Sequence, residues 1–360
     1  MREPLLRMTL REPLAPQKVL GIRLLAVVLA LVTGGLIILS LGHNPFAVYG
    51  EMINGSLGSV TVLRETIRIA VPLLITALGL SLAFRMRFWN IGGEGQILFG
   101  GIAASYFALF HYNTMSRPVL LLTMAAAAML AGALAGLIPA LCKAKWDTNE
   151  TLFTLMLNYI ALCVIKYLQN WSWKDPMQRG FPKIAMFQPI ARLPRVLGIH
   201  VGWIIALALV LLCFLYLKHT KQGYEITVVG ESPRTARYAG MKVGWIVVRT
   251  MLLSGALCGL VGFIQVSGAD YTLTDATAGG VGFTAITVAW LSQLNPIVMI
   301  FVAALIAVLE KGANKIQTVF KIPASAADVL TGVILFFMLG CEFFIRYRLV
   351  PRSGKERLHG

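Results

Sequence analysis

The chain has 360 residues, of which 57% are hydrophobic and only 13% are charged. An average soluble domain has about 25% charged residues, so this sequence cannot cover a soluble globule of its size with polar surface. Its formal charge of +16 is carried by basic clusters between apolar runs. That distribution fits cytoplasmic loops and lipid headgroups and argues against a nucleic-acid surface, which needs a continuous basic stripe.

The apolar residues occur in runs of about 20, the length with which an α-helix crosses the hydrocarbon core of a membrane. In chain order, the predicted membrane segments are 21–41, 67–84, 97–112, 118–141, 152–168, 201–217, 246–266, 283–293, 296–309 and 327–345. The predicted fold is therefore all-α and polytopic, with one transmembrane domain at 21–345. A basic leader at 1–20 precedes this domain and a basic tail at 346–360 follows it.

The larger loops are predicted at 42–66, 169–200 and 218–245. Basic residues cluster in the leader, in the tail and in the loop 218–245, which places all three in the cytoplasm. An odd number of crossings must then follow the seventh span. A break at Asn295-Pro296 satisfies this parity, because proline disfavours a helical residue before it. We therefore expect ten membrane segments, of which 283–293 and 296–309 are too short to cross unsupported.

The loop 218–245 contains the signals of a two-turn helix. Ser232 suits an N-cap, Pro233 the first helical position and Gly240 the left-handed residue beyond the end. Arg234 and Arg237 are three residues apart and would share one face. Such a helix can dock into a groove of a cytoplasmic partner, or it can lie on lipid headgroups.

The stretch 84–96 has three glycines in four positions between two apolar runs, with Glu94 among them. An ionisable residue at membrane depth is costly and is a functional candidate by default. The structural alternative is a re-entrant turn in which Glu94 pairs with Arg85 or Arg87 or caps the next helix.

Polar residues also open the fifth span. Asp147 with Glu150 resembles a capping box, with Asp147 as the N-cap. Asn158 lies two turns further along and is suited either to a helix–helix contact or to contact with a solute. Later, the glycine-rich segment 268–284 could offer backbone N–H groups to a polar solute at the start of a half-helix. Its alternative is an ordinary external loop.

Catalytic motifs are missing from the sequence. The histidines have no metal-ligand spacing, the cysteines form no CxxC pair, and neither GxSxG nor GxxxxGK[ST] occurs. A membrane-embedded enzyme is therefore disfavoured, no metal or cofactor is predicted, and any ATP would bind another chain. An ion-coupled secondary transporter would need a relay of buried acids or histidines, whereas the acids here lie mostly near helix ends.

Four stretches resemble the ABC-importer permeases of the nucleoside and simple-sugar branch. Residues 88–96 (FWNIGGEGQ) resemble the FNIGxEGQ signature, and 150–161 (ETLFTLMLNYIA) resemble the E-x-x-x-T-x-M-L-N-Y-I-A segment. Residues 230–240 are similar to the cytoplasmic coupling loop, and 282–296 to the late helices. The matches span roughly 45–345 in the family's order. Trp89 and Gly93 stand where the family more often has a less bulky residue and alanine, which suggests a shifted solute preference.

The resemblance implies the permease subunit of an ATP-driven importer for a nucleoside, purine or simple sugar, with a branched-chain amino acid as the main alternative solute. It also implies a ten-segment fold in a bacterial cytoplasmic (inner) membrane. The implied partners are a second, related permease, a cytoplasmic ABC ATPase (often a fused double cassette) and an extracytoplasmic substrate-binding protein. The loop 169–200 is a candidate docking surface for that binding protein.

Two sets of candidate residues follow from the motifs and the resemblance. The residues expected along the substrate path are Asn90, Glu94, Gln96 and Asn158. The residues expected to couple the chain to its ATPase are Ser232, Pro233, Arg234, Arg237 and Gly240.

Overall fold

The computed structural model describes residues 6–10, 15–177, 180 and 182–351. Parts of the predicted basic leader and tail therefore fall outside the described residues. In particular, 1–5, 11–14 and 352–360 are not described.

The described chain is built almost entirely from α-helices, as predicted. In chain order they are α1 Pro16–Ser40, α2 Pro45–Leu57, α3 Val60–Arg85, α4 Gly93–Phe110, α5 Arg117–Trp146, α6 Glu150–Tyr167, α7 Gly202–His219, α8 Lys221–Glu231, α9 Pro233–Tyr238, α10 Val243–Ile264, α11 Val281–Leu291, α12 Pro296–Phe320 and α13 Ala324–Arg346. Two π-helical turns extend helices, Leu168–Ser172 after α6 and Gln265–Asp270 after α10.

Short strands occur outside the helices and were not predicted. Strand β1 (Leu6–Leu10) pairs antiparallel with β4 (Tyr347–Pro351). Strands β2 (Arg195–Val196) and β3 (Ile199–His200) form a small hairpin in the loop between α6 and α7.

Each of the ten predicted membrane segments falls on a helix. Within the described residues, eight helices are long and apolar enough to cross a membrane, namely α1, α3, α5, α6, α7, α10, α12 and α13. The other two are α4, with 18 residues, and α11, with 11. The polytopic all-α membrane fold predicted from the sequence is thus confirmed.

Near the end of the chain, the predicted break before Pro296 is confirmed, but the predicted length of the segment that follows it is wrong. Gln293 and Leu294 have φ values of 53° and 58°, and α12 begins at Pro296. However, α12 runs for 25 residues, so a segment 296–309 too short to cross is wrong. Hydropathy missed the continuation because polar residues occur between Glu310 and Gln317, where the helix is amphipathic.

Two helices lie in stretches that were predicted as loops. Helix α2 begins at Pro45 after the N-cap Asn44, whose side chain accepts a hydrogen bond from the N–H of Phe46 (2.9 Å). Helix α8 follows Thr220, which caps the N–H of Gly223 (3.1 Å). Both helices are shorter than a membrane span, so a search for long apolar runs does not find them.

The chain divides into two compact units, and the division falls within α12. In the unit formed by Met1–Gly58 and Val308–Gly360, α1 packs against α13. Its apolar core includes Ile38, Val48, Ile316 and Leu330.

The larger unit, Ser59–Ala307, is organised around α10, which packs against α3, α4 and α5. Glycines allow these helices to approach closely. A side chain at Gly259 of α10 would collide with the carbonyl oxygen of Ala128 on α5, and one at Gly100 of α4 would collide with the backbone of Gly259. Close approach through small residues is the usual packing mode of membrane helices. All the candidate site residues belong to this unit.

Candidate functional site

A buried amide, Asn90, holds the loop 86–92 between α3 and α4. Its Nδ2 donates to Ser254 Oγ of α10 and to Gln96 Oε1, each at 3.3 Å. Its Oδ1 accepts from the backbone N–H of Gly92 at 3.0 Å. Asn90 and Gln96 are both almost fully buried. The predicted pair therefore ties the loop to the start of α4 and to the middle of α10.

Asn158 fixes the same loop from the side of α6. Its Oδ1 accepts from the N–H of Gly95 (2.8 Å), and its Nδ2 donates to the carbonyl of Ile91 (2.9 Å). Thr154, one turn earlier, accepts from the N–H of Ile91 at 3.2 Å. Of the two roles that the sequence left open for Asn158, the structure shows the interhelical contact.

Glu94 caps a helix other than its own. Its carboxylate accepts hydrogen bonds from the N–H groups of Gly280 (2.8 Å) and Gly282 (2.7 Å) at the start of α11. A negative group is stabilised there by the unpaired N–H groups and the positive end of the helix dipole. The alternative of a pair with Arg85 or Arg87 is wrong, because among the described residues no ion pair joins Glu94 to either arginine. Arg85 instead donates to the carbonyl of Leu294 (3.1 Å).

The structure thus brings all four predicted path residues, Asn90, Glu94, Gln96 and Asn158, into one buried polar assembly. Their hydrogen bonds go to groups of the protein, so within this chain they fix the loop 86–92 and the first turn of α11. The N–H groups of Gly280 and Gly282, for which the sequence left open a solute or an ordinary external loop, bind Glu94. Sequence reasoning missed Ser254, which resembles any small residue in an apolar run.

An aromatic series lies beside this assembly. The rings of Trp89 and Trp290 stack with centroids 5.4 Å apart and planes inclined by 24°. Trp290 stacks in turn on Phe84, at 5.5 Å and 26°. Trp89 is 47% exposed, although its neighbours Phe88 and Asn90 are buried. The sequence identified Trp89 only as a departure from the family pattern.

The predicted cytoplasmic helix is present as α9, with the expected ends. Ser232 Oγ accepts from the N–H of Thr235 (3.2 Å), and Pro233 occupies the first turn. Beyond the helix, Gly240 has a φ of 77°, and the N–H of Met241 reaches the carbonyl of Ala236 (3.0 Å). That hydrogen bond across a left-handed residue is the Schellman ending of a helix.

Only one residue of α9 is buried. Ala236 packs into an apolar cluster with Met86, Phe88 and Ile246, among others. Arg234 and Arg237 are exposed. The helix is thus anchored to the membrane-spanning helices on one side and presents its other sides outward.

A cleft of about 580 Å³ lies beside α9. Its lining carries charges of both signs, contributed by Arg87, Lys143, Asp147, Glu150, Glu231, Arg234 and Arg237. The residues that line the cleft come from α9, from the ends of α3, α5 and α8, and from the start of α6.

The junction of α5 and α6 in this cleft differs from the prediction. Asp147 ends α5 with a left-handed φ of 48°, and the N-cap of α6 is Asn149, which accepts from the N–H of Leu152 at 3.1 Å. The predicted capping box is therefore wrong. Lys143 Nζ instead bridges Asp147 (2.7 Å) and Glu150 (3.1 Å). The hydrogen bond from Lys143 lowers the pKa of Asp147.

An ion pair connects α8, which precedes α9, to α10. Arg249 Nη2 lies 3.1 Å from Glu225 Oε2, and both side chains are less than one-fifth exposed. Sequence reasoning missed this pair, although an arginine inside an apolar run is a signal worth following. It links the segment that carries α9 to the helix at the centre of the unit.

Tyr271 organises the loop between α6 and α7. Its hydroxyl accepts from Arg195 Nη2 (2.6 Å), the guanidinium of Arg192 lies 4.8 Å from the ring centroid, and its carbonyl accepts from the N–H of Phe187 (2.7 Å). The two arginines of this candidate docking loop are thus held in place by the segment after α10.

The sequence of the chain matches one family of known proteins. The family model described as "Branched-chain amino acid transport system / permease component" matches residues 62–339. The chain is 33% identical to the glucose ABC transporter permease protein TsgB13 of Haloferax volcanii, over 91% of this chain and 89% of the relative. It is 32% identical to the guanosine ABC transporter permease protein NupP of Bacillus subtilis, over 90% and 94%.

A third relative gives the same picture. The chain is 31% identical to the nucleoside ABC transporter permease protein NupB of Lactococcus lactis subsp. cremoris, over 91% of this chain and 92% of the relative. The family model covers all the candidate site residues and most of the helices. The chain therefore belongs to the family of permease components described as the branched-chain amino acid transport system permeases.

Proposed function

We propose that this chain is the membrane-spanning subunit of an ATP-driven importer and carries a nucleoside, purine or simple sugar into the cell. The observation that carries the proposal is α9, a capped two-turn helix anchored by Ala236 with its two arginines exposed. A short rigid helix of this kind suits docking into a groove of a cytoplasmic ATPase. The alternative in which α9 lies on lipid headgroups leaves the mixed charge of the adjoining cleft without a role.

The proposed solute class rests on the relatives. The three relatives described above, each more than 30% identical to this chain, are named for glucose, guanosine and nucleosides. These names favour a nucleoside or sugar over a branched-chain amino acid, although the family model takes its description from the latter.

The proposed path runs past the loop 86–92 and the start of α11. Asn90, Gln96 and Asn158 would set the position of the loop, and Glu94 would set the position of the half-helix. A half-length helix with its N-terminus inside the protein is a recurrent feature of transporter binding regions. The 11-residue α11 has that form.

The proposed topology has ten membrane segments, α1, α3 to α7 and α10 to α13, with both termini in the cytoplasm. The leader 1–20 and the tail 346–360 would then supply positive charge on the inner side. The loop 218–245, which contains α8 and α9, would be cytoplasmic, and the loop 169–200 external. The membrane would be the cytoplasmic membrane of a bacterium.

The proposed assembly has three kinds of partner. A second, related permease would pair with this one in the bilayer, and an ABC ATPase would bind α9 through Ser232, Pro233, Arg234, Arg237 and Gly240. A substrate-binding protein would dock on the external loop. The chain itself would not hydrolyse ATP, because that step would belong to the ATPase.

Mass spectrometry of the proteins that co-purify with the tagged chain tests the proposal. The extraction should use native membranes, mild detergent and a known complex as a control for preservation. We expect an ABC ATPase and a second permease in fixed ratio. A chain that comes out alone, while the control complex survives, would contradict the proposal.

A further inference from the structure

The loop that presents Trp89 lies beside the middle of a membrane-spanning helix. Asn90, the next residue, contacts Ser254 near the middle of α10, which together with the π-helical turn after it forms the candidate membrane span Val243–Asp270. Residues 88–91 are not helical. Non-helical backbone at membrane depth is tolerated where it is buried in protein or lines a water-filled cavity, and is not found exposed to lipid.

Trp89 itself is not buried in this chain. Its side chain is 47% exposed, and among the described residues no hydrogen bond reaches its backbone N–H or C=O. Unpaired backbone groups in hydrocarbon cost several kcal/mol each. Water or a partner chain therefore has to reach this backbone, and in the first case Trp89 lies at the edge of an aqueous cavity.

The surroundings of Trp89 hold its ring in a fixed direction. The side chains of Phe88 and Asn90 on either side are buried, at 3% and 0% exposure. Trp290 supports one face of the ring, with the planes inclined by 24°, and Phe84 supports Trp290 at 26°. A further planar ring can extend this near-parallel series face to face on its open side, whereas a sugar ring can contact it only through its C–H groups.

We propose that Trp89 is a stacking platform for the base of a nucleoside that passes through the permease. The proposal rests on the proposed function and narrows its solute from nucleosides and sugars to a solute with a planar base. Stacking on an aromatic side chain is available to every base, because each has a π-face. Trp89 would therefore favour nucleosides as a class without choosing strongly among them.

The uptake test uses the complete complex in proteoliposomes, with radiolabelled guanosine and glucose as probes. The Trp89→Leu variant lacks the ring on which the base would stack, so its KM for guanosine should rise about tenfold. Trp89→Phe, which keeps a ring, should stay near wild type. The matched control is Trp146→Leu, a tryptophan that is 69% exposed at the end of α5; it should have no effect. A wild-type KM in Trp89→Leu, or a wild-type complex that carries glucose but not guanosine, would overturn the proposal.

A second test does not depend on transport. Trp89→Cys should react with a charged, membrane-impermeant thiol reagent, and guanosine should slow the reaction. Peptide-resolved mass spectrometry separates the introduced thiol from the five native cysteines. A position that reacts only with an apolar reagent faces lipid, which would also overturn the proposal. A wild-type complex that carries no nucleoside, purine or simple sugar would instead contradict the proposed function, so the two failures can be told apart.

Discussion

Glu94 and Gly282 are matched to each other. The carboxylate of Glu94 accepts the N–H of Gly282 at 2.7 Å, and a side chain at residue 282 would collide with the backbone nitrogen of Glu94. The start of α11 can come this close to α4 only because residue 282 is glycine. The contact joins two helices that are far apart in sequence and places a buried negative charge against a helix N-terminus.

Replacing Glu94 with glutamine should weaken this contact. A glutamine offers one acceptor oxygen instead of two and directs its NH2 group toward a backbone N–H. Hydrogen bonds to a charged acceptor contribute roughly 1.5–3 kcal/mol each. We expect Glu94→Gln to lower the thermal midpoint of the purified protein and to impair uptake, with the amount in the membrane unchanged.

The control for this prediction is Glu51→Gln in α2, where the described residues provide no hydrogen bond or ion pair for the side chain. It should leave both the midpoint and the uptake unchanged. Normal uptake by Glu94→Gln would remove Glu94 from the proposed path.

Replacing Asn158 with alanine should loosen the loop 86–92. The N–H of Gly95 and the carbonyl of Ile91 would both lose their partner. Each unpaired buried group costs about 1–3 kcal/mol. We expect a destabilisation of several kcal/mol, measured as reversible unfolding in detergent. Asn314→Ala, on an exposed position of α12, should be neutral, and an equal effect of the two variants would show that Asn158 has no special role.

Reversing the charge of Arg237 should disrupt coupling. The side chain is exposed on α9 and lies beside the mixed-charge cleft. We expect Arg237→Glu to dissociate the ATPase or to abolish the stimulation of ATP hydrolysis by solute, while the folding of the chain is unaffected. Lys221→Glu, an exposed change at the start of α8, provides the comparison. Unchanged stimulated hydrolysis in Arg237→Glu would reject the proposed role of α9.

Acid should destabilise the loop between α6 and α7 through His200. This side chain is 3% exposed, and among the described residues neither ring nitrogen has a hydrogen-bond partner. Burial, aided by the charges of Arg68 and Arg195, lowers its pKa from 6.5 to about 4. The unfolded chain therefore binds a proton first as the pH falls. The contribution of neutral His200 to the free energy of unfolding is fully present above pH 6.5. It decreases as the pH falls toward 4, by roughly 3 kcal/mol at most.

The measurement is the thermal midpoint of wild type and His200→Asn between pH 7.5 and about 4.5, with the exposed His219→Asn as control. The variant should lose part of the acid sensitivity that the wild type and the control share. Identical pH profiles for all three proteins would mean that His200 does not titrate on unfolding.

The sequence predicted best those features that depend on local signals. Long apolar runs located the membrane helices, and Ser232, Pro233 and Gly240 predicted the ends of α9. Local signals misled where two helices meet, since Asp147 ends α5 and does not begin α6. The capping pattern alone cannot show that a lysine one turn earlier in α5 binds both acids.

The partners of the buried polar residues could not be predicted. Glu94 and Gly282 are far apart in sequence, as are Asn90 and Ser254, and nothing in either neighbourhood indicates the other. Their pairing follows from the packing of α4, α10 and α11. From the sequence one can infer that Glu94 and Asn158 need partners, because an unpaired polar side chain inside a membrane has a high free-energy cost. Only the packing of the helices shows which groups they bind.

Uptake of radiolabelled guanosine by the purified complex in proteoliposomes tests the central claim most directly. The assay should compare ATP, a non-hydrolysable ATP analogue and a protonophore. The account predicts uptake that requires ATP hydrolysis and the partner ATPase and is insensitive to the protonophore. Uptake by this chain without an ATPase, abolished by the protonophore and indifferent to ATP, would contradict it and would identify an ion-coupled transporter.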